Sequence, residues 1–154
     1  MATNDGGISR LEQAKRELIQ TTHALPKTTS FTIVCFNAHV KTWNKDLVEA
    51  SDRNKKRAIR YVERIRYGNG TNTNGGLERA LGLNDQTEVI FLLSDGEPTR
   101  GTYIEPDQII RTVSDENAFR HITINTVGIS TIGPTTTFMR ELAVQNGGKF
   151  YIAR

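Results

Sequence analysis

Two polar stretches of the sequence hold the side chains best suited to bind a ligand. Thr71 lies in the loop Gly68–Gly76, which contains only Gly, Asn and Thr and precedes a helical pattern. Asp95 follows an apolar run and is itself followed by Gly96. A hydroxyl and a carboxylate are hard oxygen ligands that suit Mg²⁺ or Mn²⁺, with water in the remaining positions. Two protein ligands alone would hold such an ion weakly, and an ordinary turn at Asp95 is the alternative interpretation.

The apolar run Val89–Leu93 is the element that must position Asp95. It is rich in β-forming residues, and the polar residues after it end it abruptly. A run that is apolar on both faces is typical of a strand in a parallel sheet covered by helices on both sides. Such sheets bind their ligands at the carboxyl ends of their strands. We therefore expect Asp95 at the mouth of a crevice there, with Thr71 on the same edge.

The rest of the chain alternates between predicted helices and strands. A capping box at Ser9–Glu12 begins a helix over residues 10–23, and Arg53–Arg66 predicts a longer helix with one apolar face. Strands are predicted at Phe31–Asn37, Ala38–Trp43, His121–Ile129 and Lys149–Ala153. A helix is predicted to start at Asp46–Ala50, and further helices are predicted near Leu77–Leu81 and after Pro106. A last helix is predicted from a Thr135 cap to Ala143, with Gly147 and Gly148 closing it. This order predicts a single α/β domain over residues 1–154, with a doubly wound, mostly parallel sheet between two helix layers.

Composition restricts the class of protein further. The 154 residues include 36% hydrophobic and 24% charged residues, which is typical of a globular domain. The formal net charge of +3 is mild and does not by itself call for nucleic acid. Cys35 is the single cysteine, so no disulfide framework or thiol-metal cluster is expected. No apolar segment reaches transmembrane length, no signal peptide is recognisable, and the sequence does not name a compartment.

Signatures of catalysis were not found in the sequence. The loop around Thr71 lacks the third glycine of a dinucleotide-binding fingerprint and follows a helix rather than a strand. A phosphate-binding loop and a nucleophile elbow are both missing. His23, His39 and His121 are scattered without zinc-site spacing. We therefore expect no catalytic residues and no enzymatic activity.

Several motifs together resemble the von Willebrand factor type A domain. Phe91–Pro98 and Gly70–Leu81 are similar to the two rim segments of that family. Arg10–Leu18, Phe31–Asn37 and Leu142–Gly148 are similar to its first helix, second strand and last helix. The resemblance covers nearly the whole chain, in the same order. It implies a Rossmann-like sandwich whose rim commonly binds a divalent cation in a metal-ion-dependent adhesion site.

The resemblance also assigns roles at the rim. Thr71 corresponds to the threonine of the metal site, and Asp95 to its second aspartate, which often acts through water. The ion, Mg²⁺ or Mn²⁺, is usually completed by an acidic residue of a protein partner. The resemblance thus implies a non-enzymatic protein-binding or adhesion module. The residues expected to line the rim against that partner are Ser94, Gly96, Glu97 and Asn72.

The sequence departs from the family pattern at its beginning. The family's site starts with Asp-x-Ser-x-Ser at the end of a first strand, whereas Met1 already lies in the loop before the first helix. Asp5 does not substitute, because no strand precedes it and no serines follow at that spacing. The metal is therefore expected to bind weakly or not at all. In the family order 3-2-1-4-5-6 the missing strand is central, so we expect instability, self-association through the gap, or collapse of Phe31–Phe36 onto Val89–Leu93.

Two other interpretations stay open. One is a metal-free structural or degenerate domain in which Thr71 and Asp95 only build turns. The other is a polyanion-binding domain that uses a stripe of arginines on one helix face, although such a stripe is more often a solvated surface. No aromatic residues interleave with the stripe to stack bases, so nucleic acid is not expected. The stripe consists of Arg53, Arg57, Arg60 and Arg64.

Overall fold

The computed structural model describes residues 9–153, which form five helices and seven short strands. The helices are α1 Arg10–Ala24, α2 Asp52–Glu63, α3 Thr73–Leu81, α4 Pro106–Asn117 and α5 Gly133–Gln145. The strands are β1 Ser30–Phe31, β2 Val34–Phe36, β3 Val40–Thr42, β4 Val48–Glu49, β5 Val89–Ser94, β6 Thr123–Gly128 and β7 Phe150–Ile152. No helix in this part of the chain is both long and apolar enough to span a bilayer.

A parallel three-stranded sheet forms one half of the fold, in the order β5-β6-β7. Val89 lies opposite Thr123 and Ser94 opposite Gly128, so β5 and β6 pair over their full lengths. α4 connects β5 to β6, and α5 connects β6 to β7, as parallel pairing requires. The α/β fold predicted from the alternation of elements is confirmed.

The other half of the fold contains two antiparallel strand pairs. β2 pairs with β3, with Cys35 opposite Lys41, and β1 pairs with β4, with Phe31 opposite Val48. The ring of Phe31 stacks on that of Trp43 at 5.5 Å between centroids, so the tryptophan packs in this half of the fold. α1 and α2 cover this half, so the two helix layers are α1–α2 and α3–α4–α5.

The buried apolar residues form two separate clusters rather than one core. The first joins α3, α4 and α5 to β5 and β6, and includes Leu77, Leu92 and Ile124. The second joins α1 and α2 to β1 and β2, and includes Phe31 and Val62. A domain of this size normally has one contiguous core. The two clusters are separate because the strands form three sheets, β1-β4, β2-β3 and β5-β6-β7, that are not hydrogen-bonded to one another.

A cavity of about 1800 Å³ lies between β2 and β5 and separates the two halves. The two strands are not hydrogen-bonded to each other. Ordinary interiors have few voids larger than a water molecule, which occupies about 30 Å³. The expected collapse of Phe31–Phe36 onto Val89–Leu93 is therefore wrong. The expected instability and self-association stay predictions.

Two local predictions are also wrong. Residues Asp46–Ala50 do not start a helix; they contain β4, because Val48 pairs with Phe31, and α2 starts only after its Ser51 cap. Thr135 does not cap α5, which begins at Gly133 and has no side-chain cap. Pro134 suits the first turn of that helix and lets it start earlier than Thr135.

Other predicted elements are found with shifted ends. The single strand predicted over Phe31–Asn37 is divided into β1 and β2. α2 ends at Glu63 instead of Arg66, and α3 begins at Thr73, inside the predicted loop. Two predicted helix ends are confirmed: the Ser9 hydroxyl accepts the Glu12 amide, and Gly147 has the left-handed conformation expected of a helix-terminating glycine, with φ +70°.

Candidate functional site

The carboxyl end of β5 places Asp95 at one mouth of the cavity, as the apolar run predicted. The side chain of Asp95 is 18% exposed and lines the cavity. Ser94, the last residue of β5, is buried, and its hydroxyl donates to the Gly96 carbonyl at 3.3 Å. Ser94 therefore supports the loop that carries Asp95 from the inside.

Backbone hydrogen bonds bring the Thr71 loop to the same edge. The amides of Thr99 and Arg100 donate to the Thr71 carbonyl at 2.9 and 3.2 Å, and the Thr71 amide donates to the Thr99 hydroxyl at 2.9 Å. Thr71 also lines the cavity that Asp95 lines. Asn72 caps α3, because its side-chain oxygen accepts the Gly75 amide at 2.8 Å. The two predicted ligand residues thus share one edge of the fold, which we call the rim.

Arg10 is a rim residue that the sequence interpretation missed. Its guanidinium Nη1 lies 3.7 Å from Oδ2 of Asp95, with the arginine side chain 36% exposed. Arg10 is the first residue of α1, directly after the Ser9 cap, so the start of α1 lies beside the end of β5. In the sequence, the only feature that marks Arg10 is that a basic residue stands at the start of a helix. It opposes the usual preference for acidic residues there.

The rim is open beside this ion pair. A side chain placed on Gly96 would meet no atom within 4 Å of its Cβ. Glu97 next to it is exposed. Of the four residues predicted to face a partner, Gly96 and Glu97 therefore have free space above them, whereas Ser94 and the Asn72 oxygen are engaged within the chain.

The described residues do not fit a resident divalent cation. Asp95 already pairs with a cationic side chain, and no group of three or more His, Cys, Asp or Glu in residues 9–153 could hold a metal. Thr73 Oγ1 and Asn74 Oδ1 are buried without a partner in that range, but neither residue lines the cavity at Asp95. Mg²⁺ prefers octahedral oxygen ligands with one or two free carboxylates. A carboxylate shared with Arg10 is a poor start for such a site.

Further down the cavity wall, Cys35 and Tyr61 are hydrogen-bonded to each other. Burial raises the pKa of the Cys35 thiol. Burial and the neighbouring Cys35 raise the pKa of Tyr61 to about 12. Both groups are therefore neutral at physiological pH, and Cys35 has the character of a structural thiol rather than a reactive one.

Comparison with known proteins identifies the family of α/β domains to which this fold belongs. The family profile for the von Willebrand factor type A domain matches residues 6–152. The chain belongs to the von Willebrand factor type A domain family.

Two human relatives illustrate the range of proteins that contain such a domain. Inter-alpha-trypsin inhibitor heavy chain H2 from Homo sapiens is 33% identical over 129 residues, which cover 77% of this chain and 13% of that protein. The human von Willebrand factor A domain-containing protein 3B is 30% identical over 146 residues, covering 93% of this chain and 11% of that protein. The chain thus spans only a small part of the relatives it matches.

Solved structures with the same fold are also found. A von Willebrand factor type A protein from Catenulispora acidiphila matches 94% of this chain and 34% of its own, with a TM-score of 0.77 and 18% identity. An aerotolerance-related membrane protein from Bacteroides fragilis matches 95% of this chain and 81% of its own, with a TM-score of 0.68 and 20% identity. At these identities the likeness concerns the fold alone. It agrees with the Rossmann-like architecture predicted from the sequence.

Proposed function

We propose that this domain is a non-enzymatic protein-binding module whose rim receives an acidic side chain of a protein partner. The observation that carries the proposal is the Arg10–Asp95 pair at the open rim. Membership in the von Willebrand factor type A family supports a role in protein interaction.

Arg10 supplies the positive charge for the incoming acid. One of its terminal nitrogens faces Asp95, and its guanidinium has further N–H donors that can bind a second carboxylate. In residues 9–153 its Nε has no hydrogen-bond partner although it is buried. Asp95 in turn orients the guanidinium. The open space over Gly96 admits the partner's backbone.

A divalent cation at Thr71 and Asp95 is a separate prediction. The donor set of the described residues does not favour it, and the proposed binding mode does not require it. Mg²⁺ or Mn²⁺ would have to displace Arg10 from Asp95, which costs the interaction between these two charges. The two modes differ in one measurable way, since only the cation-dependent mode is abolished by a chelator.

A peptide array tests the proposal. Each random peptide with one central Asp or Glu is printed beside a twin that carries the matching amide, Asn or Gln. The wild-type domain is expected to prefer acidic peptides, and Arg10→Gln to lose that preference. Arg16→Gln removes an exposed charge from the same helix and serves as the control. No acid preference in wild type, or the same preference in Arg10→Gln, would count against the proposal.

A second candidate function is the binding of a polyanion by the arginine stripe along α2 and its C-cap residue, Arg64. All four of its arginines are exposed, and none of them forms an ion pair with another residue in the range 9–153. Uncompensated positive charge along one helix face attracts polyanions in a salt-dependent way. The two candidates use different surfaces and can be tested independently.

A further inference from the structure

Three asparagines of the chain are followed directly by glycine: Asn69, Asn74 and Asn146. Such a pair can modify itself, because glycine has no side chain to shield its backbone nitrogen from the asparagine before it. The glycine nitrogen loses its proton and attacks Cγ of the asparagine, ammonia leaves, and a five-membered succinimide ring forms. Water then opens the ring at either carbonyl and gives aspartate or isoaspartate. The three pairs are alike in sequence, so the fold decides which of them reacts.

The pair at Asn146 is held by hydrogen bonds. Asn146 is buried, and its amide nitrogen donates to the Ser114 hydroxyl and to the Leu142 carbonyl. Its Oδ1 accepts from Asn117 at 3.0 Å. The Gly147 amide, which would be the attacking nitrogen, donates to a carbonyl of the last turn of α5. Neither reacting group can move unless this part of the fold opens.

The pair at Asn74 lies in the first turn of α3 and is held in the same way. Asn74 is fully buried, and its Nδ2 donates to Oε1 of Glu78 at 2.7 Å. The Gly75 amide donates to the Asn72 side chain at 2.8 Å. Ring formation here requires the start of α3 to unwind.

The pair at Asn69 is free to react. Asn69 is exposed in the loop between α2 and α3, and its side chain has no hydrogen-bond partner in residues 9–153. The Gly70 amide also has none in that range. The Asn69 carbonyl accepts the Ala38 amide at 2.8 Å. This carbonyl is kept in the succinimide, so its hydrogen bond does not oppose ring closure.

Arg100 places a positive charge beside the attacking nitrogen. A Cβ built on Gly70 would lie 3.3 Å from Nε of Arg100. Arg100 is exposed and forms no ion pair with another residue in the described range. A cation at this distance favours loss of the amide proton and stabilises the negative charge that develops on the side-chain oxygen during attack. The carboxylate of the product can then pair with the same guanidinium.

We propose that Asn69 is a self-modification site, whose side-chain amide is exchanged for a carboxylate through attack by the Gly70 nitrogen with assistance from Arg100. The reaction consumes only water and releases ammonia. It adds a negative charge to the loop that carries Thr71, and isoaspartate also lengthens the main chain there. The site is separate from the Arg10–Asp95 pair and does not depend on the function proposed for the rim.

Peptide mapping by mass spectrometry tests the proposal on the full chain, incubated in neutral buffer and sampled over time. The same chain in urea is the reference, because its unfolded Asn-Gly pairs should react at similar rates. In the folded chain, we expect Asn69 to convert at least about tenfold faster than Asn74 or Asn146. Folding should not slow Asn69. Asn69→Gln should abolish conversion at this position, because glutamine would have to form a larger ring.

Two arginine variants test the assistance by Arg100. Arg100→Gln should slow conversion of Asn69 by at least about threefold in the folded chain and leave it unchanged in urea. Arg111→Gln removes an exposed charge from α4 and should convert as wild type does. Slow conversion of Asn146 in both variants shows that the fold is kept.

Two results would overturn the self-modification site. One is conversion of Asn69 in the folded chain that is no faster than that of Asn74 and Asn146. The other is conversion of Asn69 that is slower in the folded chain than in urea. Equal rates in Arg100→Gln and Arg111→Gln would overturn the role of Arg100.

Discussion

Arg10 and Asp95 lie 85 positions apart in the sequence, yet their side chains are 3.7 Å apart at the rim. With the arginine 36% exposed, such a pair contributes less than about 1 kcal/mol to the free energy of unfolding. Stability is therefore a weak reason for its presence. The pair orients a guanidinium at an open edge of the domain, and that arrangement is the basis of the proposed function.

The first prediction concerns divalent cations. Because the described rim offers a cation a single carboxylate, which also pairs with Arg10, calorimetric titration of the wild-type chain with Mg²⁺ or Mn²⁺ should give no saturable heat. Arg10→Gln frees the carboxylate, so any binding of Mn²⁺ should be stronger in this variant than in wild type. Asp95→Ala is the control and should bind neither ion. Saturable binding to wild type that Asp95→Ala abolishes would show that a cation occupies the rim after all.

A second prediction concerns alkaline pH. Tyr61 has its pKa raised to about 12 by burial and by Cys35, so the folded state keeps the proton that the unfolded chain loses near pH 10. The contribution to the free energy of unfolding is complete below pH 10 and falls as pH rises toward 12. Urea unfolding at several pH values should therefore show a shallower alkaline loss in Tyr61→Phe than in wild type. Tyr67→Phe, at an exposed tyrosine, should leave the slope unchanged; equal slopes in all three proteins would refute the assignment.

A third prediction concerns a buried amide network behind the sheet. Asn117 accepts the Ile122 amide, donates to the Ile122 carbonyl, and donates to Asn146 Oδ1 at 3.0 Å. Asn117→Ala leaves these buried groups unpaired and should lower the free energy of unfolding by about 2–3 kcal/mol. Asp115→Ala, exposed on the same helix, should change it by less than about 0.5 kcal/mol. Similar small effects of both changes, measured by urea unfolding, would show that the network does not stabilise the fold.

A fourth prediction asks whether polyanion binding depends on the arginine stripe or only on the net positive charge of the domain. If the stripe binds polyanions, the triple variant of Arg57, Arg60 and Arg64 to Gln should elute from immobilised heparin at clearly lower salt than wild type. A control triple variant of the exposed Lys41, Lys45 and Arg111 to Gln loses the same charge elsewhere. If both variants elute together, net charge and not the stripe governs retention, and the second candidate function loses its support.

The sequence predicted the parallel half of the fold well because that half depends on local signals. The apolar run of β5, the proline at the start of α4 and the glycine after α5 are each sufficient to place an element. Asp46–Ala50 was misassigned because β4 exists only through its pairing with β1, which a local pattern does not contain. Tertiary contact overrides local preference there.

The candidate site was predicted in part. Asp95 and Thr71 were found because turn residues after a strand and before a helix are visible in the sequence. Their common edge followed from the general geometry of parallel sheets. Arg10 was missed because its role depends on where α1 begins in space, not on its neighbours along the chain. A gap in the sheet was expected, but its persistence as an open cavity between β2 and β5 was not.

The preference of the rim for an acidic residue can be measured directly. The acidic peptide that binds best on the array is labelled, and its affinity for the wild-type domain is measured by fluorescence anisotropy in EDTA and in excess Mg²⁺. We expect equal affinity in both buffers and a loss of at least about tenfold in Arg10→Gln. Binding that disappears in EDTA and survives in Arg10→Gln would contradict it, and would assign the positive charge at the rim to a cation instead.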